Sequence, residues 1–352
     1  MTAAPLVLTD PTSAPTYGDG PLSRWCKRSL YDPRDEVFVR LTLRMILVMS
    51  VLMAGLWRYP TWPVIAVYLT LWAWLVAPVI LMLHCTMHRP FIRSPKWLGS
   101  AQSYAMMFFF GIPTGYTQHH MGMHHVEDNV GEDLSATTRY RRDSFFHFLH
   151  YFGRFFFFSL VELTAYLLRK RRTTMARRAL TGELVQLSLM AGSVALWPRF
   201  GLVAFVTPYV VIRFLMMAGN WGQHAFINTS RPNNGLSNSV TCINAGYNRR
   251  AFNDGYHIGH HLKANRHWTE MPQDFLDSRE LYAREDAIVF SGLDNFLVSV
   301  LLWTGQWGML AKRFVRLDGE PRSDEQVIAM LKERVLPVRE EEWLTSLQAS
   351  AG

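Results

Sequence analysis

The stretch "WLGSAQSYAMMFFFGIPTG" (97–115) has the hydropathy of a membrane span, and how it is read decides the fold. It lies between "HCTMH" (84–88) and "QHHMGMHH" (118–125). A crossing here would put those two histidine groups on opposite faces of the membrane. If they share a site, residues 97–115 must lie along the interface or re-enter on one side. The same reasoning applies to the Phe-dense stretch 145–168, which runs straight into the basic "RKRRTTMARR" (169–178).

Four other runs suit a hydrocarbon core that needs about 20 residues of helix: 41–57, 62–83, 181–197 and 200–219. The joints "RYPTW" (58–62) and "WPRF" (197–200) turn them into two helical hairpins, with Pro and Trp where the backbone leaves the bilayer. Arg44 and Arg213, near helix ends, are expected to snorkel to the surface. The predicted fold class is an all-α integral membrane protein of about four transmembrane helices in two hairpins, with interfacial helices and a cytoplasmic histidine-rich cap. An even number of crossings puts the histidine groups and both ends of the chain on the Lys/Arg-rich, cytoplasmic side.

Composition agrees with this class. Of 352 residues, 49% are hydrophobic and 13% aromatic, in long runs that do not alternate with polar residues. The formal charge of +8 sits in flanks beside apolar runs, where it orients spans and meets anionic lipid, so it argues against nucleic acid as a partner. Three scattered cysteines, Cys26, Cys85 and Cys242, make neither a disulfide framework nor a metal motif. Residues 1–40 read as a disordered or interfacial cytoplasmic segment, 41–285 as the membrane-embedded catalytic domain, and 286–352 as C-terminal cytoplasmic or interfacial helices. Within these, 228–239 is a loop by composition, and 287–303 reads as a surface-seated helix interrupted by Asp294 and Asn295.

The chemistry rests on imidazole. His84 and His88, His120 and His124, and His257 and His261 each stand four apart, about one helical turn, so each pair projects from one face and can converge on a metal. Adjacent residues on a helix point about 100° apart, so in the doublets His124-His125 and His260-His261 one ring can serve one metal and its neighbour a second. "NWGQH" (220–224) adds His224, with Asn220 one turn earlier and able to act through a water. Ligating imidazoles need an orienting partner on the other nitrogen. Candidates are His119, His267, Asp254 and Gln223, with Asp128, Glu127 and Asp133 as further carboxylates. His147 and His150 read as hydrogen-bonded surface residues. Imidazole alone does not choose among Fe, Zn, Cu and Ni.

The boxes "HCTMH", "HMGMHH" and "HIGHH", with "NWGQH", resemble those of the membrane fatty acid desaturase and hydroxylase superfamily, over roughly residues 40–270. That resemblance implies a non-haem di-iron pair that uses dioxygen to remove hydrogen from a lipid acyl chain. Its ligand roles fall on His84, His88, His120, His124, His125, His224, His257, His260 and His261, with Asn220 acting through water. "HMGMHH" with "VEDNVGED" (126–133) and "SATTRYRR" (135–142) looks closer to the alkane hydroxylase branch, although that branch's Glu before the lone histidine is Gln223 here. Desaturation is the expected reaction, with hydroxylation and oxidative decarboxylation to a terminal alkene as alternatives.

No dinucleotide fingerprint or iron-sulfur segment is present, so an external carrier of ferredoxin, rubredoxin or cytochrome b5 type is implied. An acidic carrier could dock on Arg139, Arg141, Arg142 and the 169–178 run. A membrane metal transporter is the rival of another class. It would carry ionisable residues near the bilayer midplane, whereas the predicted spans hold no His, Asp or Glu away from their ends except Glu183, at one entrance.

Overall fold

The computed structural model describes residues 6–232, 234–317 and 322–339. The expected segments 1–40 and 286–352 therefore run partly outside the described residues, at 1–5, 318–321 and 340–352. Among the described residues the protein is mostly helical, with one two-stranded sheet. Its described residues pack into two compact units, one within Ser13–Gln118 and Leu167–Phe214, the other within Met1–Thr12, His119–Tyr166 and Leu215–Gly352.

In the first unit, α1 (Pro21–Ser29) leads to the hairpin of α2 (Glu36–Arg58) and α3 (Trp62–His88). The hairpin turns at "YPT", and Pro63 in the first turn of α3 replaces a donor that would have no partner there anyway. α4 (Trp97–Phe110) has 14 residues and rises about 21 Å, short of a hydrocarbon core of about 30 Å. It stops at Gly111, whose left-handed backbone (φ 67°) suits glycine and whose Cβ would meet the backbone of Pro208 and Tyr209 below 3 Å. α6 (Thr173–Leu196) and most of α7 (Pro198–Gln223) complete the unit.

Among the described residues, five helices are long and apolar enough to cross a membrane. Four match the expected spans. The fifth is α5 (Phe145–Arg169), a continuous helix of 25 residues where the sequence suggested an interfacial or re-entrant stretch. Arg154 and Glu162 interrupt its apolar run but pair with each other (Nη2 to Oε2, 2.9 Å), which confines their polarity to one side.

Arg213 does not snorkel. It is buried against Glu183 and donates to Gly111 O (3.0 Å), while Tyr209 Oη donates to Glu183 (3.2 Å). A buried cation without its carboxylate would be costly, and the pair removes that penalty.

The second unit holds the sheet. β1 (Val240–Ile243) pairs in parallel with β2 (Ile288–Ser291), Val240 opposite Ile288 and Ile243 opposite Ser291. The crossover between them, residues 244–287, carries the third histidine box on α8 (His257–Leu262). The expected helix over 287–303 is thus a strand followed by α9 (Asn295–Trp303). Asp294, read as an interruption, caps that helix by accepting from Leu297 N (2.9 Å). Behind the sheet, α9, α10 (Trp307–Arg313) and α11 (Asp324–Arg334) close an apolar core around Phe226, Phe290, Leu310 and Leu331.

Residues 6–40, expected to be disordered or interfacial, are ordered. Asp10 is buried and accepts from Asn244 N (2.7 Å), Asn248 Nδ2 (3.1 Å) and Tyr256 Oη (2.6 Å), next to His257. Composition suggested disorder because the segment has few apolar residues of its own. The stretch around Asp10 is held by partners more than 230 positions away, and residues 21–40 by their own helices and by contacts with 89–93.

Candidate metal centre

Seven imidazoles meet within the second unit, in two groups. His124, His224, His257 and His261 offer ring nitrogens that all lie within 4.8 Å of one another, and so do His120, His125 and His260. In the first group, His257 Nε2 stands 3.1 Å from His224 Nε2 and 3.0 Å from His261 Nε2. In the second, His125 Nε2 stands 3.1 Å from both His120 Nε2 and His260 Nε2. The groups adjoin, with ring centroids 5.0 Å apart for His125 and His261 and 5.7 Å for His124 and His125.

The backbone explains the division. α8 is an ordinary helix, so His257 and His261, one turn apart, share the first group while His260 points into the second. Residues His120–His124 form a π turn. Its i→i+5 hydrogen bonds overlay residues five apart, so His120 joins His125. His124, four residues on, goes to the other group, against the expectation that His120 and His124 would converge on one metal.

The opposite edges of the rings are held. His124 Nδ1 meets Asp133 Oδ2 at 2.7 Å, His261 Nδ1 meets Asp128 Oδ1 at 2.8 Å, and His224 Nδ1 donates to Asn238 O at 2.8 Å. Asp128 and Asn129 take left-handed backbone (φ 49° and 62°), tolerable for these short polar residues. That turn brings Asp128 back to His261 and lets Asn129 Nδ2 donate to Asn238 Oδ1 (2.8 Å). Thr137 Oγ1 donates to the carbonyl of His224 (2.7 Å). Arg142, expected on an exposed docking face, is fully buried and donates to the carbonyls of Ala225, Tyr140 and Arg334, each at 2.9 Å. Burial pushes its guanidinium down to about 9.

These contacts fix the chemistry. A carbonyl or carboxylate at Nδ1 places the proton there and leaves the Nε2 lone pair free. Lone pairs facing each other at about 3 Å repel unless a cation lies between them, so the donor set fits metal. Burial, reinforced by neighbouring imidazoles, holds His224 and His257 well below the usual histidine range, in the neutral form that ligates. Burial opposes the charged forms of His124 and Asp133 too, but their pairing outweighs it, lifting His124 and holding Asp133 well below the usual carboxylate range. His257 Nδ1 is buried with no hydrogen-bond partner among the described residues.

His84 and His88 end α3 in the first unit, ring centroids 5.0 Å apart. Asn220 Nδ2 donates to Ser135 O (2.9 Å) and Tyr151 Oη (2.8 Å). Gln223 Nε2 reaches Asp254 Oδ2 at 3.4 Å, and His119 Nε2 lies 3.7 Å from Asp133 Oδ1. His267 caps the short helix Trp268–Glu270 by accepting from Thr269 N (3.2 Å). Glu127 accepts from Tyr166 Oη (2.5 Å). Sequence reasoning missed Asn238, which acts through its backbone carbonyl and leaves no residue-type signal, and Ser135, whose Oγ lies 3.1 Å from His124 Nδ1.

Five helices of spanning length, together with two groups of imidazoles whose lone pairs fit a metal, define a membrane protein with a candidate metal centre. Its family follows from sequence comparison. The family model described as fatty acid desaturase matches residues 17–292, and the chain belongs to that family as a desaturase-type oxidoreductase acting in a lipid setting. No curated protein and no solved structure matches it significantly.

Proposed function

We propose that the protein is a di-iron, oxygen-dependent oxidoreductase that abstracts hydrogen from a lipid acyl chain, with desaturation as the reaction. The observation that carries this reading is the division of both histidine doublets, each sending one ring to each of two adjacent groups. A single-ion site has no use for two such groups. By the family's pattern, His84 and His88 add to His120, His125 and His260, and Asn220 acts through a water. Bound irons would supply oxygen activation and the removal of hydrogen from an unactivated carbon.

The chain's own residues do the rest. Asp133, Asp128 and the Asn238 carbonyl hold the imidazole tautomers and orientations. The helices let the acyl chain approach without leaving apolar surroundings, avoiding a loss of about 0.8 kcal/mol per CH₂ exposed to water. Exposed Arg139 and Arg141, and the exposed run of Arg169, Lys170, Arg171, Arg177 and Arg178, offer basic side chains to an acidic carrier of ferredoxin, rubredoxin or cytochrome b5 type.

A parity argument supports the topology. His124 precedes α5, His224 follows α7, and their ring centroids are 5.4 Å apart. An even number of α5, α6 and α7 must then cross. α5, with the lowest mean hydropathy of the five candidates, is the one that lies in the interface. The histidines then occupy the Lys/Arg-rich, cytoplasmic side.

Hydroxylation is the second reading, favoured by the three residues between the first and second histidines of "HMGMHH". Purified protein should hold about two irons per chain and consume oxygen with an acyl substrate. Mass spectrometry distinguishes loss of two hydrogens from gain of oxygen or loss of carbon dioxide. About one zinc per chain with no oxygen consumption would overturn the proposal.

A further inference from the structure

Behind His124, three oxidisable rings run toward the surface. Tyr151 (1% exposed), Trp221 (0%) and Tyr140 (9%) are mutual neighbours. Their ring centroids are 5.0 Å apart for Tyr151 and Trp221, 5.8 Å for Tyr140 and Trp221, and 5.6 Å for Tyr140 and Tyr151. At the inner end Tyr151 Oη donates to Ser135 O (3.2 Å), the residue whose hydroxyl touches His124. At the outer end Tyr140 Oη lies 3.3 Å from Nδ1 of the exposed His150.

The two phenols differ in what can take their protons. Oxidising a phenol makes it strongly acidic, so it is easy only where a base stands ready. Tyr151 faces a carbonyl and the amide nitrogen of Asn220, neither of which is a base. Tyr140 faces an imidazole, the side chain suited to accept a proton near neutral pH. Trp221 donates its indole N–H to Arg142 O (2.8 Å) and can lose an electron while keeping that proton.

We propose that Tyr151, Trp221 and Tyr140 form an escape route for an oxidising equivalent left at the metal centre when no acyl chain is bound, and that His150 is its proton acceptor. The inference rests on the oxygen-activating reading above. Trp221 yields one electron to the centre across the Tyr151 ring and becomes an indole radical cation. Tyr140 returns one electron to Trp221, its O–H bond breaks, and the proton passes to His150 Nδ1. A one-electron donor at the surface, a thiol or the electron carrier, then reduces the Tyr140 radical, and the proton comes back from His150. The net change is one electron moved from the surface donor to the centre, which spares the ligand histidines from oxidation.

The test mixes reduced, iron-loaded protein with oxygen in the absence of acyl substrate, followed by rapid freezing and electron paramagnetic resonance. A tyrosyl radical is expected, absent in Tyr140→Phe and several-fold weaker in His150→Leu. Peptide mass spectrometry of Tyr140→Phe should find several-fold more oxidation on His124 and its neighbours. Iron content and turnover with acyl substrate stay near those of the unaltered protein in both variants, which shows that they fold. A radical of unchanged yield in Tyr140→Phe overturns the route. So does the absence of a radical together with equal histidine oxidation in the unaltered protein and Tyr140→Phe. Failure to consume oxygen even with acyl substrate overturns the functional reading itself, and the two failures are told apart by that control.

Discussion

The second and third histidine boxes do the same work on different backbones. In "HIGHH" the outer pair, His257 and His261, shares one group while the middle His260 enters the other. In "HMGMHH" the outer pair, His120 and His125, shares the second group while the middle His124 enters the first. The outer residues are four apart in one box and five apart in the other. An α-helix brings residues four apart together, and the π turn His120–His124 does so for five. The extra residue is absorbed by the helix type, so each box still splits its doublet. What the two boxes share is the position of the rings in space, and residue count matters only together with the turn that carries it.

The most damaging break is removal of a middle or outer ring of the first group. His124→Ala and His261→Ala should each abolish turnover and lower iron content, because each leaves facing lone pairs without their full cage. Iron analysis and product assay check this, and full activity in either variant would mean the groups are misassigned. Next in size is a change of turn. Inserting an Ala after Met121 sets the outer pair of this box six residues apart, a separation that neither an α nor a π turn overlays, and should stop it carrying His120 and His125 to one group and His124 to the other. A metal affinity at least about 10-fold weaker is expected, measured by cobalt or iron titration, and unchanged affinity would show that the π turn is dispensable.

Smaller effects should come from the ring edges. Asp133→Asn and Asp128→Asn remove a carboxylate that fixes one imidazole each, and should cost roughly 10- to 100-fold in metal affinity or activity. Asp133→Asn is expected to be the worse of the two because Asp133 is buried and contacts both His124 and Ser135. Equal, negligible losses would separate the carboxylates from the centre. His147→Ala, at an exposed ring that accepts from Arg141 N (2.9 Å), should leave most activity intact and serves as the surface comparator.

The sequence made the boxes legible because their signal is local: imidazoles at fixed short spacings, next to apolar runs long enough to cross a bilayer. It also exposed the conflict over 97–115, and α4 has the short length that conflict required. Arg142 and Arg213 misled for one reason. Nothing in their immediate neighbours reveals a carbonyl cage at Ala225 and Arg334 or a carboxylate at Glu183, all brought in by other elements. Asp10 and the strand β2 misled likewise, since their partners lie across the chain.

By itself, then, the sequence determined the membrane class, the two hairpins and the set of imidazoles, since hydropathy and short-range periodicity act within a turn or two of helix. Only the tertiary structure decided which ring joins which group, which carboxylates and carbonyls orient them, and where the long-range strand and buried cations lie. Those choices depend on helix type and on contacts between residues far apart in the chain, whose geometry exists only once the chain has folded.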